Sequence, residues 1–150
     1  MADTDLIKLY SGKILELAAD IPLTDRLDHA DASVKKRSPL CGSTVTVDVA
    51  VEDGVIAGFG QDVKACALGQ AAASVLGSVV IGRSAREIET ARDALRMMLT
   101  EDGPVPDAPF DGYEVLIPAR EFRNRHASIM LALEATAEAM ALAGEKTNCA

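Results

Sequence analysis

The fold of this chain is decided by the segment TVTVDVAVEDGVIAGFGQDVKAC, residues 44 to 66. Its first half alternates valine with threonine, aspartate and alanine, which is typical of a strand with one buried and one solvated face. Asp53-Gly54 follows as a hairpin turn, and a second strand is predicted from Val55 to about Lys64. The glycines of that strand indicate a bulge or the close approach of another backbone segment. The segment therefore predicts an antiparallel hairpin.

Helices are predicted on both sides of the hairpin, from apolar residues at helical spacing. Residues 4 to 20 form the first, and residues 67 to 82 form a second that is apolar nearly all round, as in a helix buried on most sides. Ser84 and Glu87 make an S-x-x-E capping box that opens a third helix. A last helix is predicted over about residues 119 to 143, followed by a frayed tail. The order of helix, strands and then helices indicates an α+β fold.

Two segments are predicted to be loops. Residues 21 to 36 are polar and show no period, and Pro39 allows the segment before it an edge strand at best. Residues 101 to 112 carry three prolines and two glycines. The 150 residues are enough for a single domain with a proper core, which we expect to extend from about residue 8 to residue 143.

The composition argues against several classes of protein. Nearly half of the chain (49%) is apolar, which indicates a globular rather than a disordered protein. A net charge of -8 argues against non-specific binding to nucleic acid or to an anionic membrane. No signal-peptide pattern and no uninterrupted apolar run of about 18 residues is present, so a transmembrane helix is not expected. The expected location is the cytoplasm.

Two of the three cysteines are candidate site residues. Cys41 precedes the first strand of the hairpin and Cys66 follows the second, so the pairing of the strands brings both to one end of the sheet. Cys66 also opens a helix, where free amides and the helix dipole favour a thiolate. Two thiolates there suit a soft metal or an iron-sulfur cluster, or a redox disulfide. The alternative is a pair of buried cysteines that act as small hydrophobic residues.

His126 is a further candidate, in the stretch FRNRHAS at the start of the last helix. It would serve as a ligand if the first turns of that helix reach the cysteine end of the sheet, and otherwise as a surface or capping residue. Arg120, Arg123 and Arg125 surround it in sequence. They form either a solvated basic face or a docking site for an acidic partner.

Motifs of common enzymes are missing from the sequence. It contains no G-x-G-x-x-G, no G-x-x-x-x-G-K-[ST], no H-E-x-x-H and no C-x-x-C. Ser43, Ser74 and Ser128 have no recognisable His and Asp partners for a nucleophilic triad. No enzymatic activity is therefore predicted.

Four stretches carry a family resemblance. KLYSGKILELA stands at a first helix. SPLCGSTVTVDVAVEDGV, with the following strand and CALGQAAASVLGS, resembles a family core that reads approximately N-P-x-C-G-D, strand, D-G, strand, G-C-x-x-x-x-A-S, helix. TEDGPVPDAPFDGYEVL is an insert before the last helix, and RHASIMLALEATAEAM begins that helix. Over about residues 8 to 143 the chain resembles the IscU/SufU/NifU N-terminal family of iron-sulfur cluster assembly scaffolds, and the insert is similar to that of the SufU branch.

The resemblance implies both a fold and a function. The implied fold is a small three-stranded antiparallel sheet packed against helices. Cys41 and Cys66 match the first two cysteine ligands, which in this family hold a zinc ion or a nascent [2Fe-2S] cluster. The implied partners are a cysteine desulfurase, which supplies sulfur, and recipient apo iron-sulfur proteins. Neither nucleic acid nor a membrane is implied.

Two departures from the family pattern affect the metal ligands. Ser43 stands where the family has an aspartate, and a hydroxyl is a poor ligand beside a carboxylate. The third cysteine is absent: Ala127 takes its place when HAS is aligned with H-C-S, whereas a shift of one residue lets His126 replace it. A ligand set of Cys41, Cys66 and His126 is chemically reasonable, because thiolate and imidazole both suit zinc and iron. The proline-proline-valine chaperone motif of the IscU branch is also absent.

Two alternatives to a metal-binding scaffold stay open. The protein would be a degenerate paralogue that has lost the site and acts as an adaptor or regulator of the desulfurase. It would otherwise be a sulfur-transfer accessory in which either Cys41 or Cys66 carries a persulfide, which requires one reactive thiol rather than three ligands.

Overall fold

The computed structural model describes residues 12 to 39 and 42 to 149, with side chains up to residue 144. The part of the predicted first helix that precedes Gly12 lies outside this description. The elements in chain order are α1 (Gly12–Ala19), β1 (Ala32–Arg37), β2 (Thr44–Glu52), β3 (Val55–Lys64), α2 (Ala67–Val79), α3 (Ala85–Thr100), a 3-10 segment (Phe110–Glu121) and α4 (Arg123–Cys149).

The three strands form one antiparallel sheet in the order β1-β2-β3. The helices pack against it, so the predicted α+β fold with a three-stranded sheet is confirmed. The prediction of a loop over residues 21 to 36 is wrong for β1, where Arg37 pairs with Thr44 and Ala32 pairs with Val49. Only Val34 of this strand is buried, so its apolar alternation is too short to predict a strand from the sequence. β1 lies at the edge of the sheet, the position that Pro39 permits.

The predicted hairpin turn is confirmed. Asp53 and Gly54 have φ angles of 54° and 80°, as required of the two central residues of a type I′ turn. The predicted bulge is present as well, because Ala50 pairs with Gly58 whereas Val51 pairs with Ile56. The register thus skips one residue of β3, which bends the hairpin.

The core lies between one face of the sheet and the helices. Val45, Val47 and Val49 of β2 are all buried, and α4 packs across β1 and β2. Each fully buried aliphatic side chain of this size contributes roughly 1.5–3 kcal/mol. α2 contacts α1, α4, β3 and the 3-10 segment, and the predicted burial of this helix on most sides is confirmed.

The loop between α1 and β1 is attached to β2 and β3 by buried polar contacts. Asp48 of β2 accepts hydrogen bonds from the side chains of Arg26 and Ser33 and from the amide of Leu27. At Gly60 of β3 an added Cβ would collide with the loop backbone. The predicted close approach of another backbone segment to the second strand is therefore confirmed.

The helix ends differ in part from the predictions. The capping box of α3 is present, with hydrogen bonds of 3.2 Å from the Glu87 amide to the Ser84 hydroxyl and 3.1 Å from the Ser84 amide to the Glu87 carboxylate. α4 begins at Arg123 rather than Ala119, because the preceding residues through Glu121 wind as a 3-10 segment that contains Pro118. Its range continues to Cys149, and the fraying of the tail stays a prediction.

One helix in the described part of the chain is long and apolar enough to cross a membrane. It is the stretch Arg123–Gly144 of α4, and 67% of its apolar 18-residue window is buried inside the protein. Such burial is typical of the core helix of a globular domain.

Candidate functional site

The candidate site lies at the end of the sheet where β2 begins and β3 ends. Thr44 pairs with Lys64 across the two strands. Ser43, which precedes β2, and Cys66, which follows β3, are therefore carried to the same end. The predicted meeting of the two hairpin ends holds for these described residues.

The chain closes a tight turn before β2. The amide of Gly42 donates to the Ser38 carbonyl at 2.9 Å, and the amide of Ser38 donates to the Ser43 carbonyl at 2.8 Å. Gly42 has a φ of 72°, a conformation that glycine adopts without steric cost. Leu40 and Cys41 lie outside the described residues, so the position of Cys41 beside Cys66 stays a prediction.

Cys66 forms the N-cap of α2, as its predicted place at the start of a helix requires. Its sulfur lies 3.5 Å from the hydroxyl oxygen of Ser128 on α4. The Ser128 hydroxyl donates to the hydroxyl oxygen of Ser43 at 3.1 Å. Three separate parts of the chain thus meet through one thiol and two hydroxyl groups.

The pKa of the Cys66 thiol lies below its ordinary value. Burial alone would raise this pKa. The effect of burial is outweighed by four groups that stabilise the thiolate: the Ser128 hydroxyl, the Gly69 amide, the Arg125 guanidinium and the Leu68 amide. The two amides act as dipoles of the first helical turn, since the sulfur makes no capping hydrogen bond. The half-buried thiol therefore loses its proton more readily than an ordinary cysteine, and the thiolate is the form that binds metals.

His126 is engaged by a backbone group. Its Nε2 lies 2.9 Å from the carbonyl oxygen of Ala119, so Nε2 carries the proton and donates it, which leaves Nδ1 as the acceptor. The residue lines an open cavity of about 930 Å³ together with Arg120 and Arg123. Cys66 and Ser128 are not part of that lining. The assignment of His126 as the third ligand stays a prediction.

The three arginines near His126 have different surroundings. Arg120 donates to the carbonyl oxygens of Met98 and Gly103, both at 2.7 Å, and thereby holds the end of α3. Arg123 is exposed. Arg125 is the one that acts on Cys66, where it lowers the pKa of the thiol.

The donor set among the described side chains is small. No three residues of His, Cys, Asp or Glu in that part of the chain lie close enough together to hold a metal ion. Cys66 is the soft donor in that part of the site, and Ser43 brings a buried hydroxyl. Since Cys41 is outside the description, its contribution stays a prediction.

The functional contact that the sequence analysis missed is the one made by Ser128. Residues 66 and 128 are far apart in the chain, so no local pattern links them. One indication was available: Ser128 opens a row of small residues at helical spacing, continued by Ala132, Ala135 and Ala139, all of them buried. A row of this kind indicates a helix that approaches its neighbours closely. Ser74, the remaining serine considered for a triad, donates to the Asp20 carbonyl at 3.4 Å.

Comparison with known proteins gives consistent matches. The chain is 31% identical over 80 residues to the iron-sulfur cluster assembly scaffold protein IscU of Thermotoga maritima, an alignment that covers 53% of this chain and 56% of that protein. The chain thus matches little more than half the length of this curated relative. No protein-family model matches the chain.

Two solved structures share the fold. The N-terminal part of a nitrogen-fixing NifU-like protein from Brucella abortus superposes with a TM-score of 0.92 at 42% identity, covering 95% of this chain and 99% of that one. A SUF-system scaffold candidate from Fervidobacterium islandicum, FiSufU, superposes with a TM-score of 0.78 at 17% identity over 89% of this chain and 98% of the other. The second match bears on the fold alone. With the hairpin, the cysteine at the helix start and these matches together, the chain belongs to the IscU/NifU/SufU family of iron-sulfur cluster assembly scaffold proteins.

Proposed function

We propose that this protein is an iron-sulfur cluster assembly scaffold that holds its cargo, a zinc ion or a labile [2Fe-2S] cluster, through Cys41 and Cys66. The observation that carries the proposal is the setting of Cys66. Its thiol lies at the N-terminus of α2, beside a buried hydroxyl and an arginine that favour the thiolate. A thiolate is a common ligand of zinc and the usual ligand of iron-sulfur clusters.

The remaining ligands are assigned by their chemistry. Cys41 supplies the second thiolate, as the family resemblance implies. His126 supplies the third ligand through Nδ1, or through Nε2 once the bond to the Ala119 carbonyl is released. Ser43 is the weakest of the four, because its buried hydroxyl oxygen already accepts the proton of Ser128.

The proposed role in the cell is the one that the family resemblance implies. The protein accepts sulfur from a cysteine desulfurase, holds it with the metal, and passes the product to recipient apo iron-sulfur proteins. It performs no catalysis of its own and acts in the cytoplasm as a single domain over residues 1 to 150. What its residues contribute is a thiolate stabilised by the helix N-terminus and by Arg125.

The test is the metal content of protein purified without a metal-affinity step. Zinc and iron are measured by elemental analysis in the wild type and in Cys41→Ser, Cys66→Ser and His126→Ala. We expect about one metal per chain, lost in all three variants. The matched control is Cys149→Ser, which removes a cysteine outside the proposed ligand set and should retain the metal. Loss in the Cys41 and Cys66 variants alone would remove His126 from the ligand set. A wild type without metal, even after anaerobic reconstitution, would contradict the scaffold proposal.

A second candidate function is that of an adaptor which binds the desulfurase without a metal site. It is favoured by the engagement of the His126 Nε2 atom by the Ala119 carbonyl and by the lack of a three-donor cluster among the described side chains. The Cys41→Ser/Cys66→Ser double variant separates the two functions. If it stays folded and binds a cysteine desulfurase as tightly as the wild type, while the wild type holds no metal, the adaptor function is supported.

A further inference from the structure

Ser128 lies at a junction of three elements. It belongs to the first turns of α4 and is 1% exposed, and Ser43, at the start of β2, is 4% exposed. Its hydroxyl oxygen is 3.1 Å from that of Ser43 and 3.5 Å from the sulfur of Cys66 at the start of α2. The hydroxyl therefore has two possible partners within reach.

The position of this hydroxyl is determined by packing. A Cβ atom placed on Gly69 of α2 would lie 2.6 Å from the Ser128 hydroxyl oxygen and 3.2 Å from the Ser128 carbonyl oxygen. α2 and α4 therefore approach closely at this point, and position 69 has no room for a side chain larger than the hydrogen atom of glycine.

The single hydroxyl proton has to be shared between two acceptors. Either atom of the contact between Cys66 and Ser128 can be the donor. When Ser128 donates its proton to Ser43, the Cys66 thiol is the group that donates to the Ser128 oxygen. A metal-bound Cys66 is a thiolate and has no proton to donate. A rotation of the Ser128 hydroxyl from Ser43 to the sulfur then restores a hydrogen bond to the thiolate.

We propose that Ser128 is a positioning residue for Cys66, which holds the sulfur at the mouth of the site and donates a hydrogen bond to it when the thiolate binds metal. The inference rests on the proposed function of the site as a metal or cluster scaffold. Hydrogen bonds from outer residues to metal ligands fix the orientation of those ligands, and their loss typically weakens metal affinity by about 10-fold to 100-fold. Hydrogen bonds to cluster sulfur atoms tune cluster properties in the same way.

The first measurement is zinc affinity by competition with a chromogenic chelator at neutral pH. We expect Ser128→Ala to bind zinc about 10-fold more weakly than the wild type at unchanged stoichiometry. The matched control is Thr136→Val, because Thr136 is a buried hydroxyl residue of the same helix that donates to the Ala132 carbonyl at 2.7 Å. Equal affinity of Ser128→Ala and the wild type would overturn the positioning role, and so would an equal loss in the control.

The second measurement needs no metal. In the Cys41→Ser/Cys149→Ser background Cys66 is the remaining thiol of the chain's three cysteines, and its S–H stretching band is recorded by infrared spectroscopy. We expect the band at a lower frequency with Ser128 present and a shift to higher frequency in Ser128→Ala, with no shift in Thr136→Val. An unshifted band in Ser128→Ala would overturn the contact itself.

The two measurements separate the inference from the function on which it rests. If the wild type binds no zinc, the proposed function fails, and the infrared band still decides whether Ser128 holds the sulfur. If zinc binds and the band shifts, but the affinity of Ser128→Ala is unchanged, the scaffold function stands and the positioning role is overturned.

Discussion

Arg26 and Asp48 form an ion pair whose two members are in contrasting surroundings: the arginine side chain is 55% exposed, whereas the aspartate is 1% exposed. The guanidinium donates to both carboxylate oxygens of Asp48, at 2.6 and 2.9 Å. Ser33 and the amide of Leu27 donate to the same carboxylate. Because a buried carboxylate is stable only when it is fully hydrogen-bonded, this cluster fixes the loop before β1 to the sheet.

Asp48→Asn is expected to destabilise the protein by about 1–3 kcal/mol, the usual net contribution of hydrogen bonds to a charged group. The side-chain amide of the variant retains one acceptor oxygen, but its NH2 group replaces the second oxygen and faces groups that are themselves hydrogen-bond donors. The free energy of unfolding is measured by urea denaturation. Glu52→Gln, an exposed change at the end of the same strand, is the control and should leave the stability within about 0.5 kcal/mol of the wild type. Equal losses in both variants would contradict a specific role for Asp48.

The same carboxylate gives a pH dependence. The Arg26 hydrogen bond holds the pKa of Asp48 below its ordinary value, against the effect of burial, with smaller contributions from Ser33 and Leu27 in the same direction. A carboxyl group that is more acidic in the folded state contributes stability above its unfolded pKa of about 4, and loses it as the pH falls through the folded value.

The stability difference between the wild type and Asp48→Asn should therefore shrink as the pH falls below about 4. Urea unfolding across the acid range measures it. A difference that stays constant or grows toward low pH would contradict the assignment.

Arg125 is expected to control the reactivity of Cys66. In the Cys41→Ser/Cys149→Ser background, the rate of alkylation by iodoacetamide is followed against pH. Removal of a group that lowers the thiol pKa raises that pKa, so Arg125→Gln should shift the profile to higher pH. Arg123→Gln, a change of the same kind at an exposed position two residues earlier, should leave it in place. A shift of equal size in both variants would instead indicate a general effect of charge.

Gly69→Ala tests the close contact between α2 and α4. The added methyl group would meet Ser128 and also the Cβ of Ala65, at 2.8 Å, so we expect a loss of about 1–3 kcal/mol from overpacking. Gly144→Ala is the matched control. It lies in α4, where nothing is within 4 Å of an added Cβ, and should be neutral or stabilising, since alanine is the better helix former by up to about 1 kcal/mol. Chemical denaturation compares them, and a neutral Gly69→Ala would contradict the packing.

The hairpin and the buried helix were predictable because their patterns are local. The alternating valines of β2 and the two-residue turn at Asp53-Gly54 predict the hairpin, and the mostly apolar sequence of α2 predicts its burial. β1 was not predictable in this way. Its sequence, ASVKKR, buries one side chain, and what makes it a strand is the hydrogen-bonding edge that β2 offers.

In the candidate site, too, the features set by neighbouring residues were predictable and those set by tertiary packing were not. The place of Cys66 at a helix start follows from its own neighbours in sequence, and the structure agrees. The contact with Ser128 joins residues 62 positions apart, so it depends on how α4 packs. The direction of the His126 ring depends on the Ala119 carbonyl, which stands near the end of a 3-10 segment that the sequence analysis did not predict.

The enclosure of α2 on several sides has a consequence for delivery of the cargo. A helix that is buried along nearly its whole length opens only with the global unfolding of the domain, and we expect its amides to be among the slowest to exchange with solvent. Cys66 stands at the end of that helix and is tied to its conformation. If the protein holds a cluster as proposed, we expect a recipient to bring its own ligands to Cys66, because the sulfur stands at the end of a helix that stays folded.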